Sequence, residues 1–143
     1  METLKKSSEF EKVRRTGRTW ASGPVLLNAA PNDLAVTRCG FITGKKIGNA
    51  VKRNRARRLM KEAARLRLPH IKQGFDLVWV ARQSIEGAKL ETVLEAADAV
   101  LHRGKLFAPQ DSKNAATSGE FYRIIENSRD VEPSSQTDPT EGE

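Results

Sequence analysis

One cysteine, Cys39, and two histidines, His70 and His102, are the only thiol and imidazole groups in the 143 residues. A lone thiol excludes a disulfide framework and a cysteine-built metal centre, and it suits a reducing cytoplasm, the expected location. Long apolar runs are missing too. The N-terminus has no apolar core of a signal peptide, and no stretch approaches the length a bilayer needs, so no membrane partner is expected. A hydrolytic site built from this chain alone would need a carboxylate cluster around a metal or a His-centred acid-base pair. Over residues 1–107 the acids are scattered instead: Glu9 and Glu11, Asp76, then Glu86, Glu91, Glu95 and Asp98, with no relay for either histidine. No catalytic residue and no protein-held metal is assigned.

Acids are scarcest between Lys45 and Arg65, where Glu62 stands alone against Lys45, Lys46, Lys52, Arg53, Arg55, Arg57, Arg58, Lys61 and Arg65. Gly48-Asn49 supplies a turn and an N-cap, no proline follows until Pro69, and the interior is mostly good helix formers, so the segment reads as a helix. At 100° per residue Ala56, Leu59, Met60, Ala63 and Leu66 share a packing face, and Arg57, Arg58, Lys61 and Arg65 the opposite one. A solvated helix face usually interleaves Glu with Lys at four-residue spacing, whereas here only Arg58 and Glu62 do so. A polyanion is therefore the expected partner of this face. Residues 1–107 hold 22 Lys and Arg against 10 Asp and Glu, while 108–143 hold 3 against 8. The basic character belongs to a single domain spanning 1–107. The remaining 108–143, rich in Gln, Ser, Asn, Thr, Asp, Glu and Pro, reads as an acidic disordered tail interrupted by Phe121, Tyr122, Ile124 and Ile125.

Around the basic helix the pattern predicts a short opening helix, with Ser8 and Glu11 at capping-box spacing and Gly17 as its stop. Segments 24–29 and 34–43 read as a hairpin about Pro31-Asn32-Asp33, with Leu34, Val36, Gly40 and Ile42 on its core face and Cys39 and Phe41 on a partly open one. Residues 75–82, apolar on both faces near the middle, read as a central strand. Leu90, Val93, Leu94, Ala97, Val100 and Leu101 recur at helical spacing before Gly104.

Arg53-Asn54-Arg55, preceded by Lys45-Lys46-Ile47-Gly48-Asn49-Ala50-Val51 and followed by Arg58-Leu59, with Gly40-Phe41 at a strand end, closely resembles the signature of the bacterial ribonuclease P protein component. The likeness extends over about the first three quarters of the chain. It implies an α+β fold, a two-layer α/β sandwich of the ribosomal protein S5 domain 2-like kind. Its small, mainly antiparallel sheet packs with helices, contains a left-handed β-α-β crossover through the basic helix, and gains one more short strand near 19–22. It also implies a function: the RNA-binding subunit of an endoribonuclease whose catalytic RNA, using bound Mg²⁺, removes the 5′ leader of precursor tRNA.

Residue by residue, the likeness carries Lys45, Lys46, Lys52, Arg53, Asn54, Arg55, Arg57, Arg58, Lys61 and Arg65 over as a surface for ribonuclease P RNA, with Asn54 able to orient a hydrated metal indirectly. A cleft beside the first helix, holding the single-stranded leader, takes Phe10, Arg14 and Phe41. Arg14 stands where many relatives carry a second aromatic, and the strand aromatic is replaced near Leu26, Leu27 and Asn28, which makes leader contacts more electrostatic. Two rivals fit the charge. A leucine-zipper basic region needs heptads next, and Leu66-Arg67-Leu68-Pro69 ends the helix instead, so no DNA is expected. A general RNA-binding or ribosome-associated basic protein is the alternative, separated only by the linked motif.

Overall fold

The computed structural model describes residues 1–109; the acidic stretch read as disordered lies, from residue 110 on, outside them. The strands are β1 (Glu2–Thr3), β2 (Arg18–Ser22), β3 (Val25–Pro31), β4 (Arg38–Ile42) and β5 (Phe75–Ala81), and the helices α1 (Ser7–Thr16), α2 (Ala50–Arg67) and α3 (Leu90–Arg103). They form one five-stranded mixed sheet in the order β1-β4-β5-β3-β2, an α+β fold. β5 is the centre of this sheet because Leu77, Val78 and Trp79 are all at most 2% exposed and need cover on both faces and both edges. It pairs antiparallel with β3 and parallel with β4, and α2 makes the crossover between β4 and β5.

This arrangement corrects the expected hairpin. Segments 24–29 and 34–43 are not neighbours; β5 lies between them, and β3 instead forms its hairpin with β2 through Gly23-Pro24, where Gly23 takes φ +51°. The expected short strand near 19–22 is β2. The face assignment of the second segment is also reversed. Cys39 is fully buried and Phe41 packs on the larger core, while Leu34, Val36 and Ile42 are exposed. The alternation was misleading because Leu34 and Val36 precede the strand, and the core partner of Gly40 is the Phe10 ring, which fills the space where a Cβ would stand. The end of α1 is as expected but its start is not. Glu9, rather than a Ser8–Glu11 pair, accepts hydrogen bonds from the backbone N–H groups of Lys5 and Lys6, each at 3.2 Å, and Glu11 pairs with Arg14.

Helices lie on both faces. The larger core joins α2 and α3 to the sheet row Trp20, Leu27, Trp79 and Phe41, which the register sets side by side. Its helix contacts are tight: the edge of the Trp20 ring lies against Gly104, and Arg103 Nη1 donates to the Ala21 carbonyl at 2.7 Å. The smaller core joins α1 to the opposite face through Leu4, Val13, Ala30 and Val78, with Phe10 and Val80 packed beside them. Two arginines fasten the helices through ion pairs. Arg38 grips Asp76 at 2.9 and 2.7 Å and reaches Glu9 at 3.1 Å, tying the start of α1 to the sheet. Arg67 grips Asp98 at 2.6 and 3.2 Å between α2 and α3.

These contacts generate two expectations. Gly17 has no positive φ; it is required because a Cβ would sit 2.5 Å from the Ala29 carbonyl oxygen and 2.6 Å from that of Val13. Gly17→Ala is expected to destabilise by about 1–3 kcal/mol through overpacking against backbone. Gly44→Ala, where a Cβ meets nothing within 4 Å, leaves the thermal midpoint unchanged or slightly raised.

Asp98 supplies the pH test. Burial, only partly offset by Arg67, pushes its carboxyl up from 3.8 to about 6. A group with a raised folded pKa stabilises fully below its unfolded pKa and loses that contribution as pH rises through the folded one. Asp98→Asn should therefore gain stability relative to the parent between pH 4 and pH 7, read from denaturant midpoints at both. A difference independent of pH contradicts this.

Candidate nucleic-acid interface

The basic helix starts where the sequence places it. The Asn49 side chain accepts from the Lys52 backbone N–H at 3.0 Å, after Gly48 turns the chain at φ +132°. Ala56, Met60, Ala63 and Ala64 are buried against the sheet and α3, which turns the charged stripe outward. The nine cations then separate into three groups by what holds them. Lys52 pairs with Glu86 at 2.7 Å and Arg65 with Glu62 at 2.6 Å, so the sequence-spaced Arg58–Glu62 pair does not form. Each acid is held below its usual carboxylate range chiefly by the hydrogen bond from its partner.

Three arginines are oriented by neutral groups. Arg53 donates to the Gly48 carbonyl at 3.0 Å, Arg55 to the Ala88 carbonyl at 2.9 Å, and Arg57 to Asn54 Oδ1 at 2.9 Å and Thr43 Oγ1 at 2.8 Å. Such bonds fix a guanidinium without neutralising it, leaving its charge and remaining donors for an anion. The third group is Lys45, Lys46, Arg58 and Lys61, all exposed, whose side chains make no hydrogen bond or ion pair among the described residues. Lys45 and Lys46 sit in a 3-10 turn at 45–47 between β4 and α2, so loop and helix contribute to one cationic surface.

Beside this surface lies an open apolar row. The register aligns Ala21, Leu26, Val80 and Ile42 across β2, β3, β5 and β4, on the α1 side of the sheet. At ten residues α1 is about 15 Å long, shorter than the roughly 23 Å of the seven-residue strands beneath it, so it covers only part of their face. Leu26 and Val80 are left half-buried and Ile42 is 39% exposed. The next row, Thr19, Asn28, Val78 and Gly40, runs beneath Phe10 and contains an Asn28 Nδ2 to Thr19 Oγ1 hydrogen bond at 2.6 Å. Ile42 is followed by Thr43, the partner of Arg57, so the apolar row runs directly into the cations.

Of the three cleft residues read from the sequence, Phe10 is half-buried beside this row, and Arg14 lies one turn on along α1, exposed and paired with Glu11. Phe41 does not join them. It follows Gly40 on a pleated strand, points to the opposite face and packs on the core of α2 and α3. What sequence reading missed is the row Leu26, Val80 and Ile42, and Thr43 as the link. Leu26 and Asn28 face this side and Leu27 the other, a distinction visible only once β3 and β5 are paired.

The thiol of Cys39 takes no part: burial pushes it up to about 11. Among the described residues no group of three His, Cys, Asp or Glu comes together to hold a metal ion. Asn54 does not fit that task either, its Oδ1 being engaged by Arg57 amid a field of like positive charge. No helix of the described residues is long and apolar enough to cross a membrane.

Comparison with known proteins agrees with this geometry. The ribonuclease P family model matches residues 1–105. The ribonuclease P protein component of Roseiflexus sp. (strain RS-1) is 51% identical over 79 residues, which cover 55% of this chain and 65% of that one, just under two thirds of its length. The component of Caldanaerobacter subterraneus subsp. tengcongensis is 38% identical over 108 residues, 76% of this chain and 93% of the relative. In structure, the RNase P protein of Staphylococcus aureus superposes with a TM-score of 0.68 at 26% identity, covering 76% of this chain and 99% of the other. That of Thermotoga maritima, at 24% identity, shares the fold with a TM-score of 0.65 over 72% and 97% of the two chains. A basic helix oriented by neutral partners, a half-covered sheet and a family match over nearly the whole described region together establish that this chain belongs to the ribonuclease P protein family.

Proposed function

We propose that this chain is the RNA-binding protein subunit of ribonuclease P, cytoplasmic in location, and that it assists a catalytic RNA in removing the 5′ leader from precursor tRNA. The observation that carries the reading is the continuity of two unlike surfaces: the unneutralised cations of α2 and its preceding turn, and the open row Leu26, Val80 and Ile42 beside α1. A folded RNA presents dense phosphate, which Arg58, Lys61, Lys45 and Lys46 meet as free charges and Arg53, Arg55 and Arg57 as pre-oriented forks. A single strand presents bases with apolar faces, and the row beside Phe10 offers them a place to lie while Arg14 meets the backbone. The Thr43–Arg57 hydrogen bond fixes the two surfaces relative to each other, so a strand leaving the phosphate surface enters the row.

On this reading the protein contributes affinity and positioning, and Mg²⁺ belongs to the RNA. No step is assigned to the ion through this chain. The general RNA-binding alternative shares the cations but assigns no work to the row.

Two experiments follow. With a bacterial ribonuclease P RNA, addition of the protein should lower the Mg²⁺ needed for cleavage of precursor tRNA, and the protein freed of nucleic acid should not cleave. Arg58→Ala with Lys61→Ala should weaken assembly far more than Lys89→Ala with Lys105→Ala, at equal charge lost and with an unchanged thermal midpoint. If about five phosphates are engaged, the slope of log affinity on log salt is roughly −3 to −5. Equal losses from the two pairs would sink the assignment.

The second experiment concerns Phe10, whose ring tip rests on Gly40 while the residue is half-buried beside the row. Phe10→Leu should lower the thermal midpoint and also reduce the preference for precursor over mature tRNA by about fivefold or more, since a stacked base is worth about 1–3 kcal/mol. A lowered midpoint with that preference intact assigns the ring to packing alone.

A further inference from the structure

The remainder of this same chain has the complement of the surface just described, in matching order. Residues 108–125 are neutral, with two acids and two bases, and end in Phe121, Tyr122, Ile124 and Ile125; residues 126–143 then hold six acids against one base, Arg129. On the domain, the apolar row ending at Ile42 is followed through Thr43 by Lys45 and Lys46, with Arg58 and Lys61 beside Arg57 on α2. We propose that residues 110–143 dock back on this surface, the Phe121–Ile125 cluster over the row Leu26, Val80 and Ile42 and the acids of 126–143 over Lys45, Lys46, Arg58 and Lys61, as an intramolecular stand-in for RNA. The proposal rests on the reading of this surface as RNA-binding.

Three observations favour this occupant. The charges are opposite and segregated, +12 over 1–107 and −5 over 108–143, and the entire excess of acid lies beyond the apolar cluster. The reach suffices. The described chain ends beside the C-terminal end of α2, where the Ala108 N–H donates to the His70 carbonyl at 2.7 Å, and residues 110–121 span up to about 40 Å when extended. The 18 residues of α2 measure only about 27 Å. Finally, the free cations have no acid of their own among the described residues, so the tail relieves a repulsion that the domain leaves standing. A structured RNA with many phosphates in register displaces the tail, whereas a short unstructured RNA competes with it, so the tail raises selectivity at the cost of weak binders.

Docking is testable without RNA. Cys39 is buried with its thiol held protonated, so a nitroxide attached to Ser134→Cys in the full chain reports the tail alone. We expect paramagnetic broadening of backbone amides concentrated at Ile42, Lys45, Lys46, Arg58 and Lys61, and abolished by about 0.5 M salt, where the Debye length falls to a few ångströms. Uniform broadening or none overturns the docking. Broadening seen only between mixed labelled and unlabelled copies, growing with concentration, also overturns it and assigns the surface to a second copy.

The consequence for RNA is read separately, with Glu126→Gln, Asp130→Asn, Glu132→Gln, Asp138→Asn, Glu141→Gln and Glu143→Gln combined in the full chain. A tether supplies an effective concentration of about 1 mM, and a non-specific polyanion contact has a dissociation constant of about 10⁻⁴ M. The neutral tail should thus tighten binding of a short oligouridylate about tenfold at 0.1 M salt. Unchanged affinity in a chain that binds the oligonucleotide overturns the stand-in role. Localised broadening in a chain that binds no RNA leaves the docking in place and removes the RNA-binding reading instead.

Discussion

The burial of β5 on both faces is the constraint on which the rest of this structure depends. Leu77, Val78 and Trp79 cannot be left against water on either side, so the sheet must place a strand at each edge of β5 and a helix over each face. β3 and β4 take the edges. Because β4 runs parallel to β5, the connection between them must cross the sheet, and α2 is that crossing. Its position between two parallel strands commits one stripe of α2 to the core and aims the other outward. The outward cationic surface is therefore a by-product of how a central apolar strand is covered.

Cover is unequal on the two faces. α2 and α3 seal one of them, down to the contact between Trp20 and Gly104, whereas the ten residues of α1 are too short to seal the other. Beside the apolar packing of Val13 and Phe10, a polar fastening holds the start of α1: Glu9 caps the helix with one carboxylate oxygen and meets Arg38 with the other, and Arg38 holds Asp76 by two hydrogen bonds. Burial raises the Asp76 carboxyl, but the hydrogen bonds from Arg38 and Asn32 outweigh it and keep the group ionised below its usual range. Both the Asp76 and Glu9 shifts are downward, so this fastening weakens as pH falls, opposite in sign to the contribution of Asp98 on the other face.

Much of α2 was legible because its signals are local. Asn49 caps three residues away, and the stripe Ala56, Met60, Ala63 follows from helical period alone. The family signature, a run of linked residues within that segment, was legible for the same reason. Strand pairing was not. The expected neighbours β3 and β4 are separated by a strand more than thirty residues downstream, and no feature of 24–43 announces it. The face of β4 was inverted because the residue that makes Gly40 a core position, Phe10, comes from another element. Placing Phe41 in one cleft with Phe10 rested on the family likeness, and the pleat that follows Gly40 sends Phe41 to the opposite face. Charge, likewise, was countable but not sortable: which cations are paired, which oriented and which free depends on Thr43, Ala88 and Glu86, all distant in sequence or unremarkable in composition.

That sorting has a physical consequence for binding. The nine cations between Lys45 and Arg65 repel one another, and pairing all of them with acids would remove the repulsion along with the attraction for phosphate. The structure takes a middle course. Lys52 and Arg65, at the two ends of the stripe, are neutralised, whereas the middle arginines are held by carbonyls, an amide and a hydroxyl. An arginine fixed in this way has already lost much of its rotamer freedom on folding, so less remains to be lost when a phosphate arrives. The free residues Arg58 and Lys61 retain that freedom and can adjust to phosphates whose positions vary. In the proposed RNA-binding role, rigid forks in the middle and unpaired charges around them suit one helix to a particular phosphate surface without demanding that every phosphate be placed in advance.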